Sequence, residues 1–333
     1  MRVLVIGGTG LISTAIVAKL LQEGHEPTLY NRGQHSPRLS TNIPVITGDR
    51  QDFPAFKAKI QKYDFDAVID MITFNAQTAT NAVEVFKNRI QHYLFTSTVC
   101  VYGGPLSQVP ATESEAHTPI PGYGQEKSEA EAVFNKAWQE QQFPVTFFRP
   151  SHCYGPGAAL LDIWGYNPCL INRIREGKPI IVPGDGFGAW QPGHINDMAK
   201  GFVGALGKAH TFGEAYNLVG DEIMDWRGFH ERMAHAIGCK ANIVPMTTEQ
   251  ILAGSAPEHN FMLKDIFQYP AAYTSEKIKR DIPEYTNLMT WEDGIIDTVQ
   301  WMDENNIHQP TDTQPWIDAL VTANQHLLDS LSS

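Results

Sequence analysis

Residues 2–13 read RVLVIGGTGLIS. Val3 to Ile6 form an unbroken apolar run, the pattern of a strand buried on both faces of a parallel sheet. Three glycines follow within four residues, and then residues 11–23 carry apolar groups at Ile12, Ile16, Leu20 and Leu21, near helical spacing. Gly24 stands where a helix commonly ends. The stretch therefore predicts a strand, a glycine turn and a helix. Gly7 permits the tight exit from the strand, and Gly10 lets the backbone approach a pyrophosphate at the helix N-terminus. Ser13 takes the third small-residue position and is small enough for helix and strand to close. Gly7, Thr9, Gly10, Leu11 and Ile12 are the expected dinucleotide contacts.

Outward from this unit the same alternation continues. PTLYN (27–31), PVITGD (44–49), DAVIDM (66–71), HYLFTST (92–98) and PVTFFRP (144–150) read as further strands. Helical stretches fall at 52–62, 77–89 and 124–142. Strands alternating with helices predict an α/β chain with a Rossmann-type, doubly wound parallel sheet. From residue 151 onward Pro and Gly cluster and elements shorten. We expect residues 1–150 to form an NAD(P)-binding domain. Residues 151–333 should form mainly a smaller C-terminal substrate lobe, interleaved with the first, over the carboxyl edge of the sheet.

Composition narrows the function. The chain has 333 residues, 42% hydrophobic and 19% charged, with a formal net charge of −12. That acidity argues against a nucleic-acid surface or an anionic-lipid surface, which need clustered Lys and Arg. No run of about 18 apolar residues predicts a membrane span. MRVLVIGG leads straight into the first strand, so no signal peptide is expected. Cys100, Cys153, Cys169 and Cys239 are scattered without a CxxC pair, so neither a metal site nor a disulfide framework is expected. A reduced, cytoplasmic setting fits this cysteine usage.

The second strand ends in Asn31-Arg32-Gly33. An acidic residue there would bond the ribose 2′-hydroxyl of NAD. Here Arg32 offers a planar fork suited to a 2′-phosphate, which favours NADP over NAD. In YGQEK (123–127), Tyr123 and Lys127 are four residues apart and share a helix face. A free tyrosine is a poor base at neutral pH, and a neighbouring ammonium would lower its pKa. Thr98 closes the fifth strand, where its hydroxyl would reach the same substrate oxygen.

With these residues assembled, the chain resembles the extended short-chain dehydrogenase/reductases, the NAD-dependent epimerase/dehydratase family. The resemblance spans GGTGLIS, GD at 48–49, TSTVCVYG (96–103), YGQEK, FFRPSHCYGPG (147–157) and GHINDMA (193–199). It implies Tyr123 as acid/base, Lys127 as the residue that orients nicotinamide ribose and tunes Tyr123, and Thr98 as an assistant. It implies Asp49 near the adenine, with Asn31, Arg32 and Arg50 beside it. It also implies a homodimer paired through the helices at 77–89 and 124–142.

Departures from the family pattern bear on the substrate. Dehydratases resemble S-T-D-E-V-Y-G after the fifth strand, and here Val99 and Cys100 replace the acidic pair. Nucleotide-sugar epimerases resemble R-x-x-N-x-Y-G after the sixth, and here His152, next to Ser151, takes the Asn position. Trp190 stands where those enzymes place an arginine for the substrate diphosphate. Arg173 and Arg175 are the candidates to replace it. We expect a sugar epimerase acting on a free sugar or glycoside, with Ser151, His152 and Trp190 at the substrate and Trp190 stacking on its ring. A dehydrogenase or reductase, or a nucleotide-sugar epimerase, shares the first half-reaction. Some relatives, including chloroplast stem-loop RNA-binding proteins, share the NRG and GDR stretches, so a non-enzymatic role is the last alternative. Cys153 reads as a small buried residue. Trp164 and Tyr166 line the cleft or fill core.

Overall fold

The computed structural model describes residues 1–34, 38–39 and 42–332. Six strands follow the predicted order: β1 (Arg2–Ile6), β2 (Glu26–Asn31), β3 (Val45–Thr47), β4 (Ala67–Asp70), β5 (His92–Thr96) and β6 (Val145–Pro150). A seventh, Ala215–Leu218, is added from far along the chain. The sheet order is Ala215–Leu218, β6, β5, β4, β1, β2, β3, and every pair is parallel. The direction of winding reverses at β1, which pairs with β2 on one side and β4 on the other. A crevice opens at the carboxyl ends of the strands at such a reversal.

Six helices matter to the site: α1 (Leu11–Gln22), α2 (Phe53–Ile60), α3 (Ala76–Phe86), α4 (Tyr123–Gln141), α5 (Leu170–Arg175) and α6 (Ile195–Ala205). The pleat of β1 decides which helix covers which face. Val3 and Val5 join a core with Ile16 and Leu20 of α1 and Phe202 of α6. Leu4 and Ile6 join the opposite core with Phe56 of α2, Phe86 of α3 and Phe134 of α4.

Element ends differ from the sequence reading for local reasons. β3 stops at Thr47, short of residue 49, and the chain then turns, with the Gln51 amide donating to Asp49 Oδ1 at 2.9 Å. β5 stops at Thr96 rather than 98, because Thr98 caps the short turn Val99–Val101. α3 ends at Phe86 rather than 89, and Asn88 follows with φ 59°.

Beyond β6 a second core gathers Trp190, Trp226, Phe229, Phe267 and Trp291. The chain does not stay in that lobe. α6 returns to pack on α1, and Ala215–Leu218 completes the sheet edge against β6. Residue 150 is thus a boundary in sequence rather than in packing.

Candidate active site

At the turn after β1, Gly7 has φ +86°, and a Cβ there would lie 2.6 Å from Ile72 Cγ2. Ser13 explains the third motif position. Its side chain is buried, and its Oγ accepts from the Gly10 amide at 2.7 Å. A glycine would leave that first-turn amide without this partner. Gly7, Gly10, Leu11, Ile12 and Ser13 all line a cavity of about 450 Å³ at the sheet crevice.

The opposite wall comes from β5 and α4. Thr98 Oγ1 accepts from the Cys100 amide at 3.2 Å, and Thr98 lines the cavity together with Tyr123. Tyr123 opens α4, and Lys127 follows one turn later. The Lys127 ammonium is buried and donates to the carbonyls of Thr73 at 2.8 Å and Thr96 at 2.6 Å. Its Nζ lies 5.9 Å from the Tyr123 ring centroid. Burial pulls the Lys127 pKa down to about 7. The Tyr123 phenol moves up, first by burial and then by nearby Cys100, against a hydrogen bond with Thr98. In the free protein two backbone carbonyls engage Lys127, and Tyr123 remains 41% exposed.

Two buried networks hold this wall. Asp70, at the end of β4, binds the Arg50 guanidinium and the Tyr93 hydroxyl, and accepts from the Thr73 hydroxyl at 2.8 Å. It also accepts from the amides of Ile72 and Thr73 at 3.0 Å each. This fixes the turn that presents the Thr73 carbonyl to Lys127. It also corrects Arg50, which is a buried partner of Asp70 rather than a cofactor contact. In the second network Arg149 of β6 grips Glu131 of α4 with two bonds, at 2.9 and 2.6 Å. The same guanidinium donates to Tyr102 at 2.8 Å, and Tyr102 donates to Asn217 at 2.7 Å.

Ser151, His152 and Trp190, the residues expected at the substrate, line the same cavity. His152 and Trp190 stack with ring centroids 5.7 Å apart, and Trp190 also stacks on Trp226 at 4.8 Å. Protein rings thus take up the faces of Trp190, so its indole N–H, not a free face, is what it offers. Burial holds the His152 pKa near 3, which keeps the ring neutral. Tyr166 lines the cavity, whereas Trp164 packs edge-on against Trp316 at 4.7 Å. Cys153 is buried, with its thiol pushed up to about 12, as befits a packing residue.

Other expected contacts lie elsewhere. Arg173 is a correction: it is 2% exposed and bonds the Pro179 carbonyl at 2.8 Å and the Asp318 carboxylate at 2.5 Å. Arg175 pairs with Asp303 at 2.8 Å on the outer side. α5 points both away from the cavity, so neither replaces the missing arginine. Thr9, in the turn after β1, and Asn31, Arg32 and Asp49, at or just beyond the ends of β2 and β3, do not line the cavity. Asn31 Oδ1 accepts from the Gly33 amide at 2.8 Å, and Arg32 is exposed. Arg38 reaches back instead, donating to the Gly10 carbonyl at 3.2 Å and Thr14 Oγ1 at 3.3 Å. Sequence reasoning also missed Asp265, Ile266 and Phe267, which line the cavity from a distant irregular segment.

The family model for the NAD dependent epimerase/dehydratase family matches residues 3–218, which takes in all seven strands of the sheet except Arg2. The chain belongs to this family. It is an enzyme of the extended short-chain dehydrogenase/reductase kind. It is 28% identical over 71% of its length to a chloroplast stem-loop binding protein of 41 kDa from Arabidopsis thaliana, of which it spans 63%. To 2′-dehydrokanamycin reductase from Streptomyces kanamyceticus it is 25% identical, over 75% of this chain and 70% of that one. The fold matches dTDP-glucose 4,6-dehydratase from Bacillus anthracis, solved with NAD, with a TM-score of 0.73, 22% identity and 92% and 97% coverage. Among the described residues no helix is long and apolar enough to cross a membrane.

Proposed function

We propose that this family member oxidises and re-reduces a hydroxyl carbon of a sugar that carries no nucleotide diphosphate. One observation carries the reading. Among the described residues, Lys127 is the only Lys or Arg lining the cavity, and two carbonyls already engage it. A second diphosphate, in addition to the cofactor's at the α1 N-terminus, would enter without a free guanidinium or ammonium to neutralise it, in a protein of net charge −12. Relatives named for nucleotide-sugar chemistry favour the opposite reading. The relative named as a reductase of an aminoglycoside favours a diphosphate-free substrate.

The residues present suit a nicotinamide dinucleotide. The side-chain-free turn at Gly7, where a Cβ would strike Ile72, opens beside the N-terminus of α1, and Leu11, Ile12 and Ser13 continue the wall. Held by these residues, such a cofactor would supply the hydride chemistry of the reaction. Tyr123 takes the hydroxyl proton and gives it back, Thr98 bonds the same oxygen, and Lys127 would orient a ribose hydroxyl of the cofactor. Arg32, exposed beside β2, supports a preference for NADP. Val99 and Cys100 on the cavity wall put no carboxyl group there, which disfavours dehydration.

Residues 151–333 act mainly as the substrate lobe. We extend the proposal to a homodimer through α3 and α4, which pack together and expose Gln77, Glu84, Gln125 and Glu129. A net reductase is the second reading, favoured by the aminoglycoside-reductase relative. Calorimetry and turnover with free sugars, glycosides and UDP-, GDP- and dTDP-sugars test the substrate. Micromolar binding of a nucleotide sugar overturns the reading. Bound cofactor unchanged after turnover supports epimerisation, and free oxidised or reduced cofactor supports the reductase. Stem-loop RNA captured on a filter would favour the non-enzymatic role of the chloroplast relative instead.

A further inference from the structure

The cavity holds one carboxylate that nothing in the chain uses. Leu263–Phe267 forms a single π-helical turn whose end residues, Leu263 and Phe267, are buried in the second core. That register leaves Asp265 on the cavity wall between Met262 and Ile266. The wall around it is predominantly apolar. Among the described residues, no hydrogen bond or ion pair is made by the Asp265 side chain. Irregular π turns of this kind are frequent at functional positions.

A second set of observations points to the same ligand. Ser97 Oγ, both ring nitrogens of His152, and Trp190 Nε1 are buried atoms without a hydrogen-bond partner, and all belong to cavity-lining residues. Ser151 Oγ joins them. Buried polar atoms are seldom left unpaired, and these five gather on residues of one cavity, which supports a polar ligand there. A neutral imidazole and two hydroxyls each donate and accept, which matches sugar hydroxyls. Asp265 differs, because an ionised carboxylate only accepts. Its match is a group that only donates and carries positive charge. An anionic ligand would meet a like charge there, with no arginine on the wall to offset it.

We propose that the substrate is an amino sugar, its ammonium group held by Asp265 while its hydroxyls meet Ser97, Ser151, His152 and Trp190. This rests on the diphosphate-free sugar reading and names the class within it. Asp265 is a specificity residue: it selects the cationic sugar and takes no part in the proton or hydride steps.

The test is calorimetry on the full chain with saturating NAD, using kanamycin and glucosamine as probes. Fully N-acetylated kanamycin serves as the uncharged counterpart, and UDP-glucose as the control for the underlying reading. Kanamycin or glucosamine should bind saturably. Affinity should fall at least about tenfold in Asp265→Asn, the loss of one hydrogen bond to a charged group. Asp265→Glu should retain most of it, acetylation should abolish it, and added salt should weaken it. Equal affinity in wild type and Asp265→Asn overturns the proposal, as does acetylated kanamycin binding as tightly as the free amine. Saturable binding by neither amine overturns it as well. Those results leave the sugar reading standing, whereas micromolar binding of UDP-glucose overturns that reading itself. If Asp265→Asn does not fold, the comparison of free and acetylated probes decides alone.

Discussion

Tyr123 meets the cavity with a phenol that burial makes a weak acid, so its usefulness depends on what binds beside it. Tyr123→Phe removes one oxygen and keeps the ring. Turnover should fall by about 10²-fold or more, while cofactor affinity stays unchanged in calorimetry. Near-normal turnover would remove Tyr123 from the chemistry. Arg32→Ala should weaken NADP binding more than NAD binding, and an equal effect on both would end the proposed preference. At this scale the sequence spoke clearly wherever a residue sat inside a local motif. Ser13 is legible from the glycine turn after β1, and Tyr123 and Lys127 from their spacing together with their place after the fifth strand; all three line the cavity. Asp265 could not, because it reaches the cavity from an irregular turn more than a hundred residues beyond α4. Arg173 misled because charge and proximity in sequence do not say which side of α5 faces the cavity. For Trp190, the residue type suggested a stacking surface, but Trp226 and His152 already occupy it.

α4 carries both Tyr123 and Lys127, and the Arg149–Glu131 pair ties it to β6. Removing one member of a buried ion pair strands the other, at about 3–5 kcal/mol. Glu131→Ala should therefore lower stability by about that amount in denaturant titration. Adding Arg149→Leu to Glu131→Ala should restore part of the loss. If Glu131→Ala unfolds like wild type, the pair does not anchor the helix. Six of the seven strands were legible because each is a short apolar run before or after a helical pattern. The seventh, Ala215–Leu218, is four residues long and embedded in loop-rich sequence, so only its pairing with β6 reveals it. Helix and strand ends were off wherever a side chain capped a turn early, as Thr98 does after β5.

Across the whole molecule, burial holds His92, His152 and His230 near a pKa of 3. In the unfolded chain each returns to about 6.5 and binds a proton that the native state refuses. As pH falls below 6.5 the unfolded state gains protons, so stability drops by roughly 1.4 kcal/mol per pH unit for each ring. Unfolding midpoints measured between pH 7 and 5 should fall accordingly. His230→Phe should shed one proton's share of that slope, since His230 makes no hydrogen bond. An unchanged slope would mean these rings are accessible to solvent. The return of the chain to the sheet has a consequence for engineering. α6 and Ala215–Leu218 belong to the scaffold although they follow the first stretch of the proposed substrate lobe. A chimera that exchanges everything after residue 150 with a relative would strip an edge strand and a covering helix from the host. Specificity is transplantable only as two inserts, one on each side of that returning segment, with residues 195–218 kept native.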